Sequence, residues 1–335
     1  MIRPLLAIAL VCGARGGRDV SHAPDDGVVR MNGLLILVLV ILALSSADRA
    51  MAAEAICSQP TTIFCEDWES VAPLPGQWTD GYVADDPKKI ITTNPANVYA
   101  GSKALETIWD TQGAGSLSRW FRPDGQPFLP MTGYDHVFAR YYVKLESGLT
   151  CSGNCPKLFV LYGNRIDAPY SGFGQAGICA NGTNYFYAGT AQKQPPGREL
   201  SHYDYDADMP CTQPVGQNYG RAVLMSPLQT IPTNTWICIE SEVQLNTPGV
   251  SNGTHRTWVN DVLAGERTGV RWRESTILNL NAFQLSFSGG VSPTARIWVD
   301  NIVVAQQRIG CATTTGGPPS RPDNVVIWPG VLFGR

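Results

Sequence analysis

The stretch that decides the fold is His136–Lys144, HVFARYYVK. Val137, Ala139, Tyr141 and Val143 point one way, and Phe138, Arg140, Tyr142 and Lys144 point the other. A period of two marks a β-strand, because successive side chains leave opposite faces of the pleat. The same rhythm runs through Trp236–Leu245. Ile237, Ile239, Val243 and Leu245 face inward there, and Trp236, Cys238, Glu240, Glu242 and Gln244 face outward. Phe283, Leu285 and Phe287 oppose Gln284, Ser286 and Ser288, and RIWVDNIVVA (Arg296–Ala305) supplies the last strand. Helical periodicity is nearly absent, and Gly, Pro and Asn separate the strands. One-sided alternation with a polar outer face belongs to antiparallel sheets packed face to face, so the expected fold is an all-β antiparallel sandwich.

Composition agrees. The chain has 335 residues with 34 Gly and 24 Pro, and only 16% are charged while 44% are apolar. That mixture excludes coiled coils, helical repeats and disorder. The net charge of −3 leaves no footprint for a nucleic-acid backbone.

The N-terminus reads as processing signal rather than fold. Leu34–Leu44 is an uncharged apolar run, followed by Ser45, Ser46 and then Ala50-Met51-Ala52. It is too short to span a bilayer and has the form of a signal-peptide core with a cleavage site near Ala52. Met31 stands just before it, so residues 1–30 are expected to be an extension ahead of the true start and residues 31–53 the signal peptide. The domain then covers 54–311, and 312–335 forms a Gly/Pro/Thr-rich tail. A secreted or periplasmic protein without a stable membrane anchor is expected.

Removing the leader takes Cys12 with it and leaves an even set: Cys57, Cys65, Cys151, Cys155, Cys179, Cys211, Cys238 and Cys311. In an exported chain such a set reads as disulfides. The expected pairs are Cys151–Cys155 and Cys179–Cys211. The paired CxxC or Cys/His spacings of a zinc site are absent.

Four segments together carry a resemblance: FCEDWES, VFARYYVKLESGL, WICIESEVQLNTPGVSNGTHRTWVNDVLAG and IWVDNIVVAQQRIGC. The chain resembles secreted bacterial proteins of the concanavalin A-like jelly-roll fold, within it the polysaccharide-lyase type that includes alginate, glucuronan and heparin-lyase-like proteins. This resemblance spans about residues 60–311 and implies cleavage of an acidic, uronate-containing polysaccharide by β-elimination. Because the fold hosts several activities, two other readings stay open. One is a non-catalytic, lectin-like carbohydrate-binding jelly roll, and the other a glycoside hydrolase using Glu240 and Glu242. That pair lacks the E-x-D-x-E arrangement of hydrolases of this fold, and Glu240 is better suited to orienting a groove arginine. The stretch NYFYAGTAQ (Asn184–Gln192) resembles a YFKAG…Q signature of one alginate-lyase family, but Tyr187 replaces its Lys and Ala191 its second Tyr, so no weight rests on it.

A uronate lyase needs a group to neutralise the sugar carboxylate, a base for the C5 proton and an acid for the leaving oxygen. Arg140 and Tyr142 are expected to be catalytic, with Lys144 beside them as a substrate-binding group. Lys157, also expected to be catalytic, opens the strand KLFVLYG and resembles a basic residue that some lyases of this fold keep in the groove. SHYDYDADMP offers His202 or Tyr205 as proton carrier and Tyr203 as a substrate contact. Glu240, Glu242 and Gln284 complete the expected substrate-binding set. Asp204, Asp206 and Asp208 alternate as calcium ligands would, but the loop lacks the Gly and distal Glu of a calcium hand. No cofactor is expected beyond that possible calcium, the partner is an acidic glycan, and a monomer suffices.

Overall fold

The computed structural model describes residues 54–312 apart from 70–77, 79–86, 127, 130, 132, 150–156, 193–198, 228, 288–290 and 292. The expected signal peptide, the Cys151–Cys155 pair and the tail beyond 312 lie outside the described residues. The strands are β1 (Thr62–Glu66), β2 (Lys89–Thr92), β3 (Ala104–Trp109), β4 (Gly115–Trp120), β5 (His136–Leu145), β6 (Lys157–Arg165) and β7 (Phe186–Gln192). They continue with β8 (Leu200–Tyr205), β9 (Arg221–Leu224), β10 (Trp236–Gln244), β11 (Gly253–Val259), β12 (Val262–Val270), β13 (Leu278–Phe287) and β14 (Ala295–Ala305). Among the described residues no helix is long and apolar enough to cross a membrane.

Two antiparallel sheets form a sandwich. The larger runs β12-β11-β10-β5-β14-β3-β2, with β1 also paired to β14, and the smaller runs β4-β13-β6-β7-β8-β9. The order is far from sequential, as in a jelly roll, and the turns explain the local pairings. β11 and β12, for example, are joined by Asn260-Asp261, both at positive φ (49° and 67°). That is the type I′ geometry whose twist suits a two-residue hairpin.

The alternation read from sequence decides what is buried between the sheets. Val137, Ala139, Tyr141 and Val143 of β5 meet Phe159 and Leu161 of β6, Phe186 and Ala188 of β7, and Phe283 and Leu285 of β13 in one apolar core. Ring contacts tighten it, with Phe159 stacked on Phe283 and edge-on to Tyr141. Disulfides Cys57–Cys65, Cys179–Cys211 and Cys238–Cys311 fasten the periphery, the second of them as expected.

At one end the interior turns polar. His202 Nε2 lies 3.0 Å from Thr257 Oγ1, Thr257 lies 2.8 Å from Ser241, and Ser241 lies 3.1 Å from Thr190. His255 Nδ1 lies 3.0 Å from Asp204, which also pairs with Arg267. This chain of polar groups, buried except at Arg267, bridges β7 and β8 to β10, β11 and β12; most of its groups find partners inside the protein, while His255 Nε2 has none among the described residues.

Candidate active site

Neighbouring residues on a strand face opposite ways, and this separates the expected site residues into three places. The first is the outer face of the larger sheet, which carries Arg140, Tyr142, Lys144, Glu240 and Glu242. Each already has a protein partner. Arg140 is wholly buried and pairs with Glu54. Tyr142 stacks on Tyr99 with ring centroids 3.7 Å apart, and its hydroxyl accepts the Ala312 N–H. Lys144 donates to the Ala96 carbonyl at 2.7 Å and to Asn97 at 3.2 Å. Glu240 accepts from Arg308, from the Ile309 N–H and from the Gly310 N–H at 2.7–3.0 Å. Glu242 pairs with His136 and Arg256.

The expectation that Arg140, Tyr142 and Lys144 share a groove with Lys157 is therefore corrected: they lie on the other sheet. Their polarity docks Glu54 and residues 308–312 onto the outer face of the larger sheet. The Glu240/Glu242 pair is corrected with them, since both carboxylates hold arginines. Glu240 pairs with Arg308, which belongs to this outer face of the larger sheet and not to a groove with Lys157.

The second place is the interior. His202 points inward beside Asp204, with its ring 4.0 Å from that of His255. Burial first, then His255 and Arg267, holds its pKa well below the ordinary histidine value, while Asp204 opposes the shift. A wholly buried imidazole in such a network does not reach a polysaccharide, so the expected role of His202 as base is corrected too. The aspartates are likewise engaged: Asp204 with His255 and Arg267, Asp206 with Arg267 and Arg221, and Asp208 with Arg271. Among the described residues no group of three or more His, Cys, Asp or Glu side chains is arranged to hold a metal.

The third place is the outer face of the smaller sheet, where Lys157, Tyr203, Tyr205 and Gln284 come together. Strand pairing lays this face out in rows. Trp120, Ala282, Tyr162, Tyr187 and Tyr205 form one row across five strands. Ser118, Gln284, Val160, Gly189, Tyr203 and Ala222 form the next. Beyond it lie Ser116 and Ser286, then Lys157 with Ala191, Ser201 and Leu224. An aromatic wall thus stands beside a floor of small and polar residues, from which Lys157 and Tyr203 emerge half-buried.

A β-bulge brings Lys157 to this face. Leu158 and Phe159 both enter the core, and the register slips between Lys157 and Phe159. Regular alternation from Phe159 would send Lys157 inward; the slip instead sets it opposite outward-facing Ala191, as bulges re-aim side chains. Its Nζ lies 5.0 Å from the Tyr203 ring centroid and 5.8 Å from that of Tyr187. Among the described residues no carboxylate pairs with it, and burial pulls its pKa below the ordinary lysine value.

The Tyr203 hydroxyl lies 3.2 Å from that of Tyr205, which is buried behind it. Burial and then Tyr205 push the Tyr203 phenol up, and the Gly220 N–H pulls in the opposite sense. Gln284 lies in the floor, accepting from Tyr162 at 3.2 Å and donating to Ser118 at 2.9 Å.

Tyr187 is the site residue that sequence reasoning passed over. It reaches Lys157 and Tyr203 by leaning across Gly189, where a Cβ would lie 2.5 Å from the Tyr187 ring. The signal lay in the alternation of Tyr185, Tyr187 and Gly189, which the poor match to a known signature concealed.

The comparisons accord with this architecture. The family model for polysaccharide lyase 14 matches residues 180–297, a segment holding Tyr187, Tyr203, Tyr205 and Gln284. The crystal structure of a marine family 14 alginate lyase from Aplysia kurodai superposes with TM-score 0.54 at 17% identity, covering 74% of this chain and all of that one. An alginate lyase from a Chlorella virus superposes with TM-score 0.51 at 14% identity, covering 69% of this chain and 94% of that one. No curated protein sequence matches the chain. The fold is the antiparallel jelly roll of these enzymes, and the resemblance to the polysaccharide-lyase type holds.

Proposed function

We propose that this protein is a polysaccharide lyase that cleaves a uronate-containing polymer by β-elimination at Lys157 and Tyr203. The observation that carries this reading is the half-buried Lys157 amine, without a carboxylate partner among the described residues, lying against Tyr203 on a floor of small side chains. The lowered lysine and the raised tyrosine assign the roles, because a general base works best with a pKa drawn towards the working pH and a general acid must stay protonated. Lys157 takes the C5 proton. The C5–H electrons form the C4–C5 double bond as the C4–O4 bond breaks, and Tyr203 gives its proton to the departing O4. The ammonium formed on Lys157 faces the charge that builds on the uronate carboxylate. The Gly220 N–H steadies the Tyr203 phenolate, and the Lys157 proton restores it.

The same reading places the enzyme outside the cytosol, with its leader removed near Ala52, acting as a monomer. Three disulfides support export. The test is to mix the protein with alginate, glucuronan or heparin and follow the ultraviolet absorbance of the unsaturated uronate. Wild type is expected to generate it from at least one polymer, and Lys157→Ala and Tyr203→Phe to generate none. An active Lys157→Ala enzyme would sink the assignment. Binding without any unsaturated product would favour the lectin-like reading.

A further inference from the structure

On the site face, the smaller sheet ends in an apolar edge that the elimination chemistry does not use. Tyr203 pairs with Ala222 of β9 and Ser201 pairs with Leu224, so Ala222 and Leu224 share the face that carries the Lys157/Tyr203 pair. Both are exposed, Leu224 by 38%. Tyr219, two residues before β9, is exposed by 61% and lies close enough to Tyr203 to push that phenol's pKa up. Among the described residues no aromatic ring packs against it.

This tyrosine is not on a loose tip. The Asn218 side chain donates to the Gln213 and Pro214 carbonyls and accepts the Gln213 N–H, closing the loop on itself. The Asn218 and Gly216 N–H groups both donate to the Gly177 carbonyl, and the Cys179–Cys211 disulfide ties the same two segments. On the other side, Gly220 sits so close to the Tyr205 ring that a Cβ there would lie 2.6 Å from it. Tyr219 is therefore a large exposed aromatic, held between a fixed asparagine and a glycine whose N–H reaches the candidate catalytic tyrosine.

We propose that Tyr219, with Ala222 and Leu224, is a stacking subsite for a sugar ring of the polysaccharide next to the one being cleaved. The location rests on the lyase reading above. Pyranose rings carry an apolar C–H face, and a preorganised aromatic with one wet side suits it without the ordering cost of a mobile loop. β9 lies one strand, about 4.8 Å, beyond Tyr203. A polymer crossing the strands from Lys157 past Tyr203 must run over this edge.

The experiment compares wild type with Tyr219→Ala and Tyr219→Phe on alginate and glucuronan. KM is measured by release of unsaturated product, and binding by retardation in native gels containing each polymer. Tyr219→Ala is expected to raise KM roughly fivefold to tenfold, with kcat within about twofold, as loss of one aromatic contact predicts. Tyr219→Phe restores wild-type behaviour, because the ring face and not the hydroxyl makes the contact. An unchanged KM in Tyr219→Ala, or a Phe variant as impaired as the Ala variant, overturns the proposal. If wild type releases no unsaturated product, the lyase reading fails and the gels decide alone. Retarded wild type with freely migrating Tyr219→Ala sustains the subsite, and equal migration overturns it.

Discussion

The polar interior predicts a specific acid sensitivity. His202 is buried and neutral in the folded protein, its pKa held well below 6.5 by burial, by the stacked His255 and by Arg267. In the unfolded chain it titrates at its ordinary value. Below pH 6.5 the unfolded state therefore binds a proton that the folded state refuses, and stability falls as pH falls. The slope for one such group is about 1.4 kcal/mol per pH unit below its ordinary value, for as long as the folded state refuses the proton. Asp204 adds a second loss at lower pH. Burial raises its pKa, but His255 and Arg267 prevail and bring it down to about 2 from 3.8. Its contribution, on the order of 2 kcal/mol, is fully present above 3.8 and disappears as pH falls towards 2. Against total stabilities of about 5–15 kcal/mol these losses are large. The assay is urea denaturation followed by tryptophan fluorescence at several pH values between 7 and 4.5, for wild type and His202→Gln. Glutamine keeps a donor towards Thr257 and does not titrate, so its stability is expected to fall less steeply by one proton's slope. Parallel pH profiles for the two proteins would refute the reasoning.

Three further predictions test the division of the molecule into a working face and a structural one. Arg140→Ala strands Glu54 and is expected to cost about 3–5 kcal/mol in denaturant titrations, with kcat of the folded enzyme unchanged. Glu240→Gln combined with Glu242→Gln is expected to leave turnover of the uronate polymer within about twofold of wild type; loss of all turnover would revive the hydrolase reading. Gly189→Ala places a Cβ 2.5 Å from the Tyr187 ring and 2.9 Å from the Tyr203 carbonyl oxygen. It is expected to destabilise by about 1–3 kcal/mol and to lower kcat by displacing Tyr187 from Lys157, measured by urea titration and by initial rates.

Period-two alternation made the sandwich legible because it reports which side chains share a face, and the inward residues of β5, β10 and β13 pack as their pattern predicts. It does not report which outer face meets solvent. Arg140, Tyr142 and Lys144 alternate as cleanly as any groove residues, yet Glu54, Tyr99 and residues 308–312 converge on them from sequence positions far away. Alternation also counts against grouping His202 with Tyr203 and Tyr205, since consecutive residues cannot serve one face. Lys157 is the reverse case. A strict period of two would bury it, and only the bulge that sends both Leu158 and Phe159 into the core turns it outward. The trace of that bulge in sequence is two consecutive core residues after a lysine. A single interrupted alternation thus decides whether the sheet carries an inward-facing cation or one on its outer face, and such interruptions are where a β-sandwich departs from its own periodicity to re-aim a side chain.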